Sequence, residues 1–210
     1  TTSYFLGAYG NYAAQTYFVT GKVIGGLSRY VEERLVVNNM VSGGSEMVDT
    51  DHDGWFVNPS LAVGVPVTMI GGTLTPTFRA RYAAMFLEDY TENWTSADLH
   101  HDSRVVSLFD LRAQLAYNLI RPAEGGKIAA ELRGGVDATF ANAQDVQVEA
   151  ASSTLDFPAG NEWTSWRGFG GLSLAYTTDA RARFFLGGEL GWSGDDSLTA
   201  EGQAGIGVDL

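Results

Sequence analysis

The sequence predicts an all-β fold, an antiparallel transmembrane outer-membrane β-barrel with about nine strands, and three observations carry that expectation. Apolar and polar residues alternate with period 2 along most of the chain, and no segment sustains the 3.6 period of a helix. The alternating stretches exceed the ~5–6 residues of an ordinary globular strand and reach the ~9–11 that cross a bilayer at a tilt. The connections are short at one end of the strands and long at the other, which is the habit of outer-membrane barrels.

The elements follow in order. Weakly alternating strands are expected over 2–13 and 16–31. In DGWFVNPSLAVGVPV, Trp55, Val57, Pro59, Leu61, Val63 and Val65 share one face, and Phe56, Asn58, Ser60, Ala62 and Gly64 the other. In GTLTPTFRARYAAMF, Leu74, Phe78, Ala80, Tyr82 and Phe86 oppose Thr75, Thr77, Arg79 and Arg81. In VVSLFDLRAQLAYNL, Phe109, Leu111, Ala113, Leu115 and Tyr117 oppose Asp110, Arg112, Gln114 and Asn118. In KIAAELRGGVDATF, Ile128, Ala130, Leu132, Val136 and Phe140 oppose Lys127, Glu131, Arg133 and Asp137. A weaker strand is expected over 163–177. The last two carry Phe184, Leu186, Leu190 and Trp192 against Arg183 and Glu189, then Leu198, Ala200, Ala204, Ile206 and Val208 against Glu201, Gln203 and Asp209. Aromatics such as Tyr4, Tyr12, Trp55, Phe86, Tyr117 and Trp192 recur at the ends of the apolar faces, the depths of the interfacial girdles.

Composition supports this. Glycine is abundant (26), proline scarce (5) and cysteine absent, so neither disulfides nor thiolate metal sites are available. The net charge of −12 argues against a nucleic-acid partner, which needs a basic face. No run of 18 apolar residues exists, which excludes a helical membrane protein. With no initiator Met and no signal-peptide core, the expectation is a mature or trimmed exported chain.

Short connections are expected near 14–15, 70–72, 120–126 and 178–180, and long ones over 32–53, 89–103 and 143–162, with SGDD at 193–196 on the long-loop side. Nine strands are an odd number, and an open edge in lipid leaves backbone groups unpaired at several kcal/mol each. The expectation is therefore a part of a twelve-stranded barrel, with three upstream strands supplied from outside the chain.

The stretches YFLGAYGNYAAQTYFVTGKVIGGLSRY, GGTLTPTFRARYAAMFLEDYTEN, DSRVVSLFDLRAQLAYNL, FGGLSLAYTTDARARFFLGGELGW and LTAEGQAGIGVDL resemble, in order, the C-terminal β-barrel translocator of autotransporters, the type V secretion proteins. The resemblance implies a Gram-negative outer-membrane protein with extracellular long loops that anchors an N-terminal passenger and supports its export. It implies a plug helix and three strands before Thr1, and assembly by the cell's barrel-inserting machinery through the closing strand, residues 198–210. Family members usually finish on an aromatic, whereas this chain stops at Leu210, so a residue or two is expected beyond it. The rival readings are a small porin-like or structural outer-membrane protein without a passenger, a rim protease of the omptin type, and a soluble β-sandwich.

The candidate site is the polar parity. Lys22, Arg79, Arg81, Asp110, Arg112, Gln114, Glu131, Arg133, Asp137, Arg167, Arg183, Glu189, Glu201 and Asp209 are expected to face a wet lumen, because unpaired charges cannot sit in a dry core. No cofactor and no catalytic residue is expected. DTDHDGW places Asp49, Asp51, Asp53 and Gly54 at the spacing that opens a calcium loop, but the twelfth position is Ser60 where such a loop needs a bidentate carboxylate. The three aspartates remain a weak metal candidate at the tip of a solvated loop. His52, His100 and His101 are the residues a rim protease would use. The acidic loop residues Glu88, Asp89, Glu92, Asp98, Asp102, Asp145, Glu149, Asp156 and Glu162 are candidates for bridging lipopolysaccharide phosphates through divalent cations, and NWT at 93–95 matches a glycosylation acceptor without bacterial meaning.

Overall fold

A computed structural model describes residues 1–210 apart from Met40 and residues 93–97, 151–152, 158–162, 195–196 and 209–210. In chain order the strands are β1 (Thr2–Ala13), β2 (Phe18–Val37), β3 (Ser45–Gly64), β4 (Val67–Met69), β5 (Gly72–Leu87), β6 (Tyr90–Glu92), β7 (Leu99–His101), β8 (Arg104–Ala123), β9 (Gly126–Ala143), β10 (Val146–Ala150), β11 (Ser153–Phe157), β12 (Trp163–Thr178), β13 (Ala182–Ser193) and β14 (Leu198–Val208). No helix occurs among the described residues. Nine long strands pair antiparallel with their chain neighbours in the order β1-β2-β3-β5-β8-β9-β12-β13-β14, with β4 folded back onto β5. A second, four-stranded sheet runs β11-β10-β7-β6.

The large sheet is curled, and its charges show which way. Arg112 on β8 and Glu189 on β13 are three strand steps apart, about 14 Å at ~4.8 Å per step in a flat sheet. Their guanidinium and carboxylate nevertheless meet at 2.8 Å. The face that carries them is therefore concave. The opposite face presents bare apolar side chains, with Leu132 63% and Ile206 75% exposed, and Leu186, Leu190 and Phe184 beside them. A sheet with a charged hollow and a greasy outer surface is built for lipid outside and water within. Neither β1 nor β14 has a second partner among the described residues.

Several glycines of this chain make room rather than bend the backbone. Phe169 lies over its cross-strand neighbour Gly135, where an added Cβ would come within 2.8 Å of the ring. Phe56 covers Gly26 and Phe185 covers Gly205 in the same way. Aromatic side chains filling the space above cross-strand glycines let a curved sheet stay packed. Glycine is needed for its conformation at the short turns, where Gly71 (φ 83°) and Gly125 (φ 69°) take the left-handed region. The phenols of Tyr117 and Tyr176 donate to the carbonyls of Ile70 and Glu124 in those two turns, each at 2.9 Å.

Two expectations change. The second strand extends from Phe18 to Val37 and the third begins at Ser45, so the long loop expected over 32–53 is mostly a hairpin closed over 38–44. The loops expected over 89–103 and 143–162 supply β6, β7, β10 and β11. The reason lies in burial. Glu46, Val48 and Thr50 are buried on the concave side of β3 while Met47, Asp49 and Asp51 stay exposed. A strand can thus carry a polar sequence when its neighbours shield one of its faces, here β6 alongside β3 and the Arg34–Glu92 pair that spans it.

Candidate functional site

The strand register assembles the charges. Arg79, Arg112, Asp137 and Arg167 stand directly opposite one another across β5, β8, β9 and β12. Two positions nearer the short-turn end on each strand, Gln114, Gly135 and Phe169 form the next row of that face. Beyond it lie Arg133, Glu189 and Glu201. Glu189, only 8% exposed, is the acceptor for three arginines: Arg112 Nη2 at 2.8 Å, Arg167 Nη2 at 3.0 Å and Arg133 Nε at 3.1 Å. Asp137 takes Arg167 at 2.9 Å and lies 3.6 Å from Arg112. The Arg112 guanidinium covers the Phe169 ring at 3.6 Å, and Gln114 accepts from Arg112 Nε at 3.3 Å. Arg81 pairs with Asp110, which also accepts from Thr139 at 2.8 Å. Arg133 reaches Glu131 at 3.5 Å, and Arg167 lies 3.9 Å from Glu201.

All the described residues of the predicted lumen set share the concave face; Asp209 lies outside the described residues. Lys22, Arg79 and Arg183 make no ion pair among the described residues, and Arg79 faces the like charge of Arg112 across the ladder. Phe169 was hidden from sequence reasoning because it is an apolar residue on the polar parity, and its ring is 2% exposed beneath Arg112. Its one sequence signal is the Gly134–Gly135 pair opposite, which makes room for a ring. The arrangement supplies fixed charges and hydrogen-bond donors along a hollow.

The histidines belong to a different structure at the long-loop end. Four rings stack in series: Tyr30 on His52 (4.9 Å), His52 on Tyr90 (4.3 Å) and Tyr90 on His101 (4.5 Å), all within 16° of parallel. Tyr30 and His52 sit on the concave side of β2 and β3, while Tyr90 and His101 are cross-strand partners on β6 and β7. Arg34 on β2 binds Glu92 on β6 at 2.6 Å. His101 Nε2 lies 3.3 Å from Glu92 Oε1 but off the line of a hydrogen bond, and like His52 Nδ1 it is a buried ring nitrogen without one. Burial pushes the His101 imidazole below its ordinary value, outweighing the pull of Glu92 in the other direction. Burial, helped by Glu92, raises the Tyr90 phenol.

The acidic stretch 49–53 is extended strand rather than loop tip, so its carboxylates lie along an outward face. Asp51 is clasped by Arg29, whose guanidinium donates from Nε at 2.9 Å and holds the carboxyl below its usual range. His100, beside the stack, has Thr91 Oγ1 at 3.2 Å and Asp102 at 3.6 Å, both solvent-exposed. Glu92 is buried against Arg34 rather than displayed to solvent; Glu162 and the NWT at 93–95 lie outside the described residues.

Compared with models of protein families, residues 1–189 match the one described as the autotransporter β-domain. No curated protein matches the chain.

Proposed function

The chain belongs to the autotransporter β-domain family and is an outer-membrane β-barrel translocator domain, and from that premise we propose that it anchors an N-terminal passenger and carries it outward along the charged hollow. The observation that supports this is the two-faced sheet: lipid-ready side chains on the convex side, and fixed arginines and carboxylates held by one another on the concave side. An unfolded segment of chain brings its own peptide dipoles and charges, and a hollow lined with donors and acceptors receives it without demanding one sequence. The short turns face the periplasm and the long-loop end faces outside. Strands from outside residues 1–210 close the sheet between β14 and β1, since an open edge is not tolerated in lipid. β14 is the strand the assembly machinery reads, and the acidic residues of the long-loop end meet lipopolysaccharide phosphates through divalent cations.

The test is export by the full-length protein in Gram-negative cells. Added protease should reach the passenger on intact cells. A barrel that inserts correctly, shown by heat-modifiable migration on gels, while the passenger stays protected would overturn the export reading and leave only an anchor. Purified barrel whose thermal midpoint ignores chelator would remove the lipopolysaccharide bridge.

A further inference from the structure

β2 outruns the strand beside it. On one side it pairs with β3 along its whole length, from Phe18 opposite Gly64 to Val37 opposite Ser45. On the other side β1 accompanies it only as far as Arg29, whose partner is Thr2. Among the described residues, 30–37 therefore form a free sheet edge toward the long-loop end.

The hydrogen-bond phase tells which backbone groups are left over. In the β1–β2 turn the Ala14 N–H donates to the Tyr17 carbonyl at 2.8 Å, and in the β2–β3 turn the Asn38 N–H donates to the Gly44 carbonyl at 3.0 Å. Backbone direction alternates along a strand, so odd residues of β2 turn their N–H and C=O toward β1 and even residues toward β3. Val31, Glu33, Leu35 and Val37 thus present theirs at the free edge. Proteins blunt bare edges with proline, lysine, bulges or short strands. Residues 30–37 hold neither proline nor lysine, and their register with β3 has no bulge. Their outward row shows Val31, Leu35 and Val37 at 58, 68 and 79% exposed, with Glu33 its one charge. On the hollow side, Arg34 is already engaged by Glu92.

We propose that the free edge of β2 is a strand-docking site, and that its occupant is the segment immediately preceding Thr1 in the full-length protein, which continues β1 by about seven residues. Continuity with the β1–β2 ladder argues for that occupant. In every pair of the ladder the two residue numbers total 31, from Ala13 with Phe18 to Thr2 with Arg29. Carried onward, the same register sets Thr1 opposite Tyr30 and the second residue before Thr1 opposite Glu32. It reaches Val37 after a further ~23 Å at ~3.3 Å per residue. The chain that arrives at Thr1 comes along this edge, so each upstream residue meets the next free backbone groups before any other strand can. A segment that fits carries apolar or β-branched residues opposite Val31, Leu35 and Val37, where cross-strand contact covers those side chains. The connection into β1 then begins level with the turn over 38–44, and the wall of the mouth gains a strand there.

Residues 1–210 hold no cysteine, so no thiol of theirs competes with an introduced pair. In the full-length protein in outer-membrane vesicles, Glu32→Cys is combined with a cysteine at the second residue before Thr1. These positions make a non-hydrogen-bonded pair with Cα atoms ~4.5 Å apart, inside the range a disulfide spans. Mild oxidation should close that pair almost completely, seen as a mobility shift that reductant reverses. Cysteines at the first or third residue before Thr1 point to the opposite face and should close only at background level. Closure at a shifted place, closure only with a cysteine far upstream in the passenger, or a disulfide between two molecules would each give the edge to another occupant and overturn the proposal. Amide exchange in the unsubstituted full-length protein supplies a second reading. With the strand docked, the amides of Val31, Glu33, Leu35 and Val37 should exchange as slowly as those of Glu32, Arg34 and Val36, which β3 already holds. Fast odd amides beside slow even ones would show a bare edge and overturn the proposal as well. Only barrel with heat-modifiable migration is scored, and exposure of the passenger on intact cells enters neither measurement.

Discussion

The two polar clusters on the concave side solve one problem in opposite ways. Around Glu189, charge is answered with charge: three guanidiniums converge on one carboxylate, and every participant is fixed by a ladder of backbone hydrogen bonds. At the mouth, Tyr30, His52, Tyr90 and His101 answer burial with ring faces, and only half of them are set by the main sheet. Ladder-held charges survive in a wet hollow because register keeps partners in place whatever the pH. The rings form a ladder across the neighbouring strands β2, β3, β6 and β7, at the spacing of the strands themselves, and exclude water by stacking. The lower cluster lines the hollow with charge and the upper one ties neighbouring strands of the wall together with rings.

The comparison can be broken where it is strongest. Phe169→Ala should be the most damaging single change, costing about 3–5 kcal/mol by the scale of buried Phe truncations, because it empties the space over Gly135 and strips the surface beneath Arg112. The drop in the urea midpoint of the inserted barrel measures it. Glu189→Ala should come next at about 2–3 kcal/mol, below the ~3–5 of a dry buried pair because water in the hollow softens the loss; an unchanged midpoint would show that the three arginines do not depend on it. Tyr90→Ala should remove about 1–3 kcal/mol from two stacked contacts, but locally: amide exchange should quicken in β6, β7 and β10 while the barrel's own midpoint holds. Asp51→Asn should be the mildest. Its pair with Arg29 is solvent-exposed, and the thermal midpoint should not move measurably.

The barrel wall was legible because period 2 is a direct record of two environments. Leu132, Leu186 and Ile206 against Arg133, Glu189 and Glu201 could be sorted without coordinates, and the strands could be placed to within a few residues except at the upper ends of β2 and β3, which run on to Val37 and start at Ser45. The four-stranded extension of the wall was not legible. Its strands β6 and β7 are three residues each, too short to show any period, and the ring stack joins residues from Tyr30 to His101 across several strands. The acidic stretch at 49–53 misled for a related reason. Its polarity reads as a loop tip, yet Thr50 and Val48 are buried on a strand flanked by β6, a neighbour that no local pattern announces. Phe169 was missed because alternation assigns a face to each position and cannot say that one apolar ring among charges will support an arginine.

The hydroxyls of Tyr117 and Tyr176 that hold the Ile70 and Glu124 carbonyls have a mechanical consequence. An aromatic ring prefers the depth where hydrocarbon gives way to headgroups, and here that ring is tied to a turn with little slack. The protein consequently rides in its membrane like a hull with a painted waterline. If the bilayer thickens or thins, the adjustment must be taken up at the opposite end, where the long hairpin of β2 and β3 leaves height to spare.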